Sequence, residues 1–155
     1  MLEVGQKAPP LKGKTDEGTF DLGKHKGKPV VVYFYPKDMT SGCTKQACDF
    51  RDRKKVYQKL GASVVGVSRD SVERHAKFRE KEGLDFPLVA DEDGKITEAW
   101  GVWREKSNYG RKYMGIARVT FLIDEKGKIA QIWDPVRVPG HVDKVMAAIK
   151  ELNEA

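Results

Sequence analysis

Cysteine and histidine are scarce in this chain, with two of the first and three of the second among 155 residues. A structural zinc site takes about four ligands, and His25, His75 and His141 are scattered with no ligand-like spacing to Cys43 or Cys48, so no metal is expected. Long apolar runs are also missing. No stretch approaches the ~20 residues that cross a bilayer, and Met1-Leu2-Glu3-Val4-Gly5 has neither the basic nor the apolar region of an export signal. A cytoplasmic protein without a membrane partner is therefore expected. A basic arm is absent too: the net charge of +6 comes from 29 basic and 23 acidic residues interleaved along the sequence. Lys12, Lys14, Lys24, Lys26 and Lys28 cluster loosely, as do Arg51, Arg53, Lys54 and Lys55, but no aromatics alternate with them to stack bases, which argues against a nucleic-acid partner. Repeats, low-complexity tracts and linkers are lacking, and 39% hydrophobic residues suffice for a continuous core, so residues 1–155 read as a single domain.

What is present is an alternation of strand and helix signals. Pro29 to Tyr35 is a β-branched and aromatic run of the kind buried on both faces of a central sheet. From Cys43 to about Leu60 the residues Ala47, Phe50, Tyr57 and Leu60 recur at helical spacing, with Gly61 as a stop. Ala62 to Val67 reads as a second strand, and Asp70 with Glu73 resembles a capping box opening a helix that ends at Gly83. Leu88-Val89-Ala90 is a short strand, Ile96 to Trp100 a short helix, and Gly101 to Gly115 a loop. Val119–Ile123 and Ile129–Trp133 flank a Gly-containing turn and predict a hairpin, and His141 to about Leu152 a closing helix. Two β-α units, a hairpin and a last helix are the element order of an α/β thioredoxin-like fold, a central mixed sheet flanked by helices, with additions at the N-terminus and in mid-chain.

Both cysteines follow the first strand, in Tyr35-Pro36-Lys37-Asp38-Met39-Thr40-Ser41-Gly42-Cys43-Thr44-Lys45-Gln46-Ala47-Cys48. Cys43 falls where a helix begins, and a helix N-terminus stabilises a thiolate. The plain alternative is a pair of inert core thiols; a Cys-His hydrolase would need a histidine to reach Cys43. The neighbours favour a reactive site. Gly42 permits close backbone approach, Thr40 and Ser41 offer hydroxyls or caps, and Pro36 closes the strand.

Pro36 and Thr40 to Cys43 form a Pro-x-x-x-Thr-x-x-Cys pattern that resembles the peroxiredoxins, and Cys48, five residues after Cys43, is similar to their Q-type, or bacterioferritin comigratory protein, branch. Gly115-Ile116-Ala117-Arg118-Val119-Thr120-Phe121-Leu122-Ile123-Asp124 is similar to that branch's second motif, and the resemblance runs from about Gly5 to Leu152. It departs at Ser41, where proline is common. The resemblance implies a peroxidatic Cys43 whose thiolate attacks the O–O bond and becomes a sulfenic acid, and a resolving Cys48 that closes an intramolecular disulfide. It implies that Thr40 and Arg118 bind the peroxide beside Gly42 and that Pro36 shields the thiolate. It further implies hydrogen peroxide or an organic hydroperoxide as substrate and thioredoxin or a similar dithiol as reductant. No metal, flavin or haem is implied. With no distant second cysteine to link subunits, a monomer is expected. A thiol-disulfide oxidoreductase remains the alternative, although such enzymes usually carry Cys-x-x-Cys and do not need Thr40 and Arg118.

Physical chemistry adds two expectations. A thiol with pKa ≈ 8.5 is only about 3% ionised at pH 7, so a helix terminus and a guanidinium raise the thiolate fraction roughly thirtyfold at most. Speed must also come from stabilising charge on the departing oxygen. Residues five apart on an ideal helix have Cα atoms roughly 8.7 Å apart and lie about 140° around the axis, beyond the ~7 Å that a disulfide bridges. Cys43 and Cys48 can then join only if the first turns of their helix unwind.

Overall fold

The computed structural model describes residues 1–155. In chain order its elements are strands β1 (Lys12–Thr15) and β2 (Gly18–Asp21), a 3-10 turn (Leu22–His25), β3 (Val30–Phe34), helices α1 (Ser41–Asp52) and α2 (Lys54–Lys59), β4 (Ser63–Ser68), α3 (Val72–Glu82) and β5 (Leu88–Ala90). These are followed by α4 (Lys95–Ala99), β6 (Trp103–Asn108), β7 (Arg111–Ile116), β8 (Val119–Ile123), β9 (Ile129–Trp133) and α5 (His141–Glu154). A seven-stranded mixed sheet has the order β2-β1-β5-β4-β3-β8-β9.

The sheet's centre follows from the apolar run. Side chains of a strand alternate between faces, so Val31 and Tyr33, with Tyr35 just beyond the strand end, enter one core while Val30, Val32 and Phe34 enter the other. The first core is closed by Cys43, Ala47 and Phe50 of α1, Phe78 of α3 and Val142, Val145 and Ile149 of α5. The second is closed by Leu11, Trp100, Val102 and Phe121. β3, β4 and β5 run parallel, and β8 runs antiparallel to β3 with Phe34 opposite Val119. That register fixes Arg118 at the C-terminal end of β3, where α1 also begins. The carboxyl ends of parallel strands are where open α/β sheets bind ligands.

Three sequence expectations change. The single helix from Cys43 to Leu60 is two helices, broken at Arg53 (φ −105°, ψ 12°) and starting two residues earlier, at Ser41. The break falls where the apolar series lapses between Phe50 and Tyr57, so no side chain anchors that turn to the core. Asp70 does not cap α3: Ser71 does, its hydroxyl accepting from Arg74 N at 3.1 Å, because Asp70 is engaged by Ser68 and by the Asp38 amide. Gly101 to Gly115 is no loop but contains the β6–β7 hairpin, turned at Tyr109 (φ 53°) and Gly110 (φ 77°). Two successive positive φ values make the tight turn that matches strand twist. Its largely exposed strands lack the alternation that marks a half-buried hairpin.

Candidate active site

α1 is the element that builds the site. Its first helical bond runs from Thr44 N to Thr40 O, and the amides of Ser41, Gly42 and Cys43 donate to no protein acceptor. Such orphan donors, with the positive end of the helix dipole, form an anion-binding surface. Thr40 holds the N-cap position, yet its hydroxyl does not cap the helix; it donates to the Lys37 carbonyl at 3.0 Å, on an exposed residue. Pro36, half-buried, joins β3 to this loop.

Cys43 is buried and faces the start of β8, where Arg118 Nη2 lies 3.3 Å from its Sγ. Arg118 is oriented by a residue the sequence reading passed over: Nη1 donates to Gln46 Oε1 at 2.6 Å. Gln46, one turn after Cys43 on the same helix face, is fully buried, and its Nε2 has no partner. The i+3 spacing was the available signal. Gly42 allows the approach, since a methyl group there would lie 3.3 Å from Arg118 Nη2. A second cation lies close by. Half-buried Lys106 donates to the Ile116 carbonyl at 2.7 Å, and burial followed by the Arg118 charge pushes its pKa down, against the opposing pull of Cys43. Tyr33, whose buried hydroxyl is also unpartnered, is pushed well up, chiefly by burial, with Asp38 and Cys43 adding and Arg118 opposing.

Behind the loop lies a buried polar network that the sequence did not reveal. Asp38 accepts from the Tyr35 hydroxyl at 2.5 Å and meets His75 Nδ1 at 2.5 Å, while His75 Nε2 donates to the Val89 carbonyl at 3.1 Å. The Asp38 amide donates to Asp70 Oδ2 at 2.9 Å, and Arg74 donates to the Asp38 carbonyl at 3.1 Å. Donor atoms of Asp38, Asp70 and His75 lie within 4.8 Å of one another, a spacing that would suit a metal ion. Arg74 Nε, 3.1 Å from Asp70 Oδ1, supplies the positive charge there. The arrangement fits a buttress that pins every polar atom of Asp38 and thus the loop leading to Thr40.

Cys48 is half-buried, off the stripe of Cys43, Ala47 and Phe50, and both cysteines are free. Its thiol donates to Glu82 Oε1 at 3.7 Å. His141 makes no contact with Cys43 or Cys48, bonding Thr120 Oγ1 through Nε2 at 2.9 Å and packing edge-on to Phe50 and Trp133. Trp100 is a core residue against Phe34 and Phe121, and Trp103 carries the Arg69 guanidinium on its face.

Comparison with known proteins shows the family and the fold. The AhpC/TSA family model matches residues 4–132. Peroxiredoxin Bcp of Bacillus subtilis is 49% identical over 99% of this chain and 98% of its own length, and Peroxiredoxin Bcp of Escherichia coli 44% identical over 97% of each. Peroxiredoxin Q of Xanthomonas campestris superposes with a TM-score of 0.89 at 40% identity, covering 97% of this chain and 98% of that one. The bacterioferritin comigratory protein of the same organism, whose structures concern its alkyl peroxide reduction activity, gives 0.89 at 39%, covering 97% and 99%. The family match over residues 4–132, the identities and the shared fold together show that the chain belongs to the AhpC/TSA family, on its Q-type, bacterioferritin comigratory protein branch.

Proposed function

We propose that this protein is a thiol-dependent peroxidase that reduces hydrogen peroxide and organic hydroperoxides through Cys43, resolves the product through Cys48, and is recycled by thioredoxin or a similar dithiol. The observation that carries the reading is the Arg118 guanidinium 3.3 Å from Cys43 Sγ at the open N-terminus of α1. In the first step the Cys43 thiolate attacks one peroxide oxygen, the O–O bond breaks, and the departing oxygen takes a proton: thiolate, hydroperoxide and a proton give sulfenic acid and an alcohol, or water. Arg118 and the free amides of Gly42 and Cys43 are the donors aimed at the developing negative charge. Thr40, with its lone pairs free at the mouth, positions the substrate hydroxyl, and Pro36 limits water at the sulfur. In the second step the Cys48 and Cys43 sulfurs join and the hydroxyl leaves as water. A dithiol then returns both thiols by exchange.

The reading carries with it a monomer, because both sulfurs of the cycle belong to α1, and a cytoplasmic location, where reducing thiols are maintained. No helix is long and apolar enough to cross a membrane. A thiol-disulfide oxidoreductase would leave the Arg118–Gln46 pair without a task.

Stopped-flow peroxide consumption tests the assignment. Cys43→Ser is expected to abolish it. Cys48→Ser is expected to oxidise once, without forming the internal disulfide. Wild-type protein no faster than free cysteine would reject the peroxidase.

A further inference from the structure

The two cysteines of α1 sit in opposite electrostatic surroundings, and α3 makes the difference. Cys43 occupies the positive end of α1 beneath Arg118. Cys48 turns toward the C-terminal end of α3, where its Sγ lies 3.7 Å from Glu82 Oε1. Glu82 is the last residue of that helix, so its carboxylate adds to the negative end of the dipole instead of offsetting it. The contact is braced: Arg51, three residues beyond Cys48 and on the same face, donates from Nη1 to the Glu82 carbonyl at 2.5 Å. α1 therefore clasps the end of α3 at two points, one through the thiol itself. Burial pushes the Cys48 thiol up first; Glu82 and Asp52 act in the same direction, and Arg51 opposes them. Lys45, the other cation on this stretch of α1, is tied to Asp49 at 2.6 Å.

We infer that Glu82 is a positioning residue for Cys48: its carboxylate accepts the S–H hydrogen bond and holds Cys48 as an unreactive thiol against α3 while α1 is folded. This rests on the reading of Cys48 as the resolving cysteine. Resolution forms the Cys48–Cys43 S–S bond and breaks the Cys43 S–O bond; the Cys48 sulfur is oxidised, the Cys43 sulfur reduced, and the Cys48 proton leaves with the hydroxyl as water. The attacking species is a thiolate. A thiol bonded to a carboxylate is the wrong form for attack, and unwinding the first turns of α1 both brings the sulfurs together and takes Cys48 away from the carboxylate. The same movement supplies reach and reactivity. Until then Glu82 keeps the second thiol from competing with Cys43 for oxidants or from trapping foreign disulfides.

The test is the titration of Cys48 in the Cys43→Ser protein, read as thiolate absorbance near 240 nm against the double variant Cys43→Ser/Cys48→Ser, which cancels the tyrosines. Glu82→Gln keeps size and an acceptor but removes the charge. It is expected to lower the Cys48 midpoint by about half a pH unit or more, equivalent to about a threefold gain in thiolate at pH 7.5. In the protein with both cysteines it is expected to speed disulfide formation after one equivalent of peroxide. Glu82→Asp, which retains the charge, is expected to stay near wild type and separates charge from packing. Superposable titrations of wild type and Glu82→Gln, or a Glu82→Asp midpoint that moves with Glu82→Gln, would overturn the inference. The titration uses no peroxide, so it is independent of the peroxidase reading, which fails instead if Cys43→Ser still consumes peroxide.

Discussion

At the scale of single residues, the candidate site depends on how closely Arg118 approaches sulfur. Its planar fork uses one nitrogen on Gln46 Oε1 and another on Cys43 Sγ, a division of donors that lysine cannot reproduce. Arg118→Lys is therefore expected to lower the second-order rate with peroxide by about 10²-fold or more, measured by stopped flow in Cys48→Ser protein to isolate the first step. A slowdown of less than tenfold would show that charge alone suffices. Gly42→Ala probes the same contact from the backbone side. Its methyl group would meet Nη2 at 3.3 Å, and displacing the guanidinium by a fraction of an ångström is expected to slow the reaction with little effect on urea unfolding. Cys43, Gly42 and Arg118 were legible in the sequence because their spacing follows a pattern and their chemistry is distinctive. Gln46, Lys106, Asp38 and His75 were not: each is a polar residue of a kind usually found on a solvated surface, and only the fold shows that they face inward.

At the scale of elements, β3, β4, β8 and β9 could be read from apolar runs because burial dictates their side chains, and α3 from its stop at Gly83, although Ser71 and not Asp70 caps it. The β6–β7 hairpin and the α1–α2 break could not, since backbone pairing and a local dihedral decide them, not a hydrophobic pattern. The N-terminal hairpin of β1 and β2 is shorter still, with four residues in each strand, and is anchored in the core by Phe20 and Leu11. The consequential element is α1, which carries both cysteines and must unwind for them to join. Hydrogen exchange is expected to show lost amide protection from Thr44, the first hydrogen-bonded amide of α1, to about Cys48 in the disulfide form, with β3 and α5 unchanged. Retained protection throughout α1 would reject the unwinding. The loop before α1 is expected to stay in place because Asp38 is held through its amide, its carbonyl and both carboxylate oxygens. Asp38→Asn unbalances that buried network and is expected to cost roughly 3 kcal/mol in urea unfolding, with a slower peroxide reaction because Thr40 and the first turn of α1 lose their support.

At the scale of the molecule, both faces of the sheet are sealed by apolar side chains, and a few buried polar groups decide how stability responds to solution conditions. His141 begins α5, bonds Thr120 on β8, and so ties the closing helix to the strand that presents Arg118. Burial, with the charges of Lys144 and Arg118 beside it, pushes its pKa down to about 4. An unfolded histidine titrates near 6.5. Between those values the unfolded chain binds more protons than the folded one, so stability falls as pH falls through this window and is fully present above it. The expected loss between pH 7.5 and 5.0 is about 2 kcal/mol from this one group. Urea unfolding of the reduced protein at the two pH values measures it. His141→Gln retains a hydrogen-bonding group toward Thr120 and cannot titrate, so it is expected to cost some stability at pH 7.5 but to lose about 2 kcal/mol less than wild type on acidification. Equal losses in the two proteins would mean that α5 accommodates a charged His141, most directly by the helix start lifting from β8 and giving water access to the ring. The end of the sheet that carries Arg118 would then be softer than its packing implies, and acid would slow the peroxide reaction before it unfolded the chain.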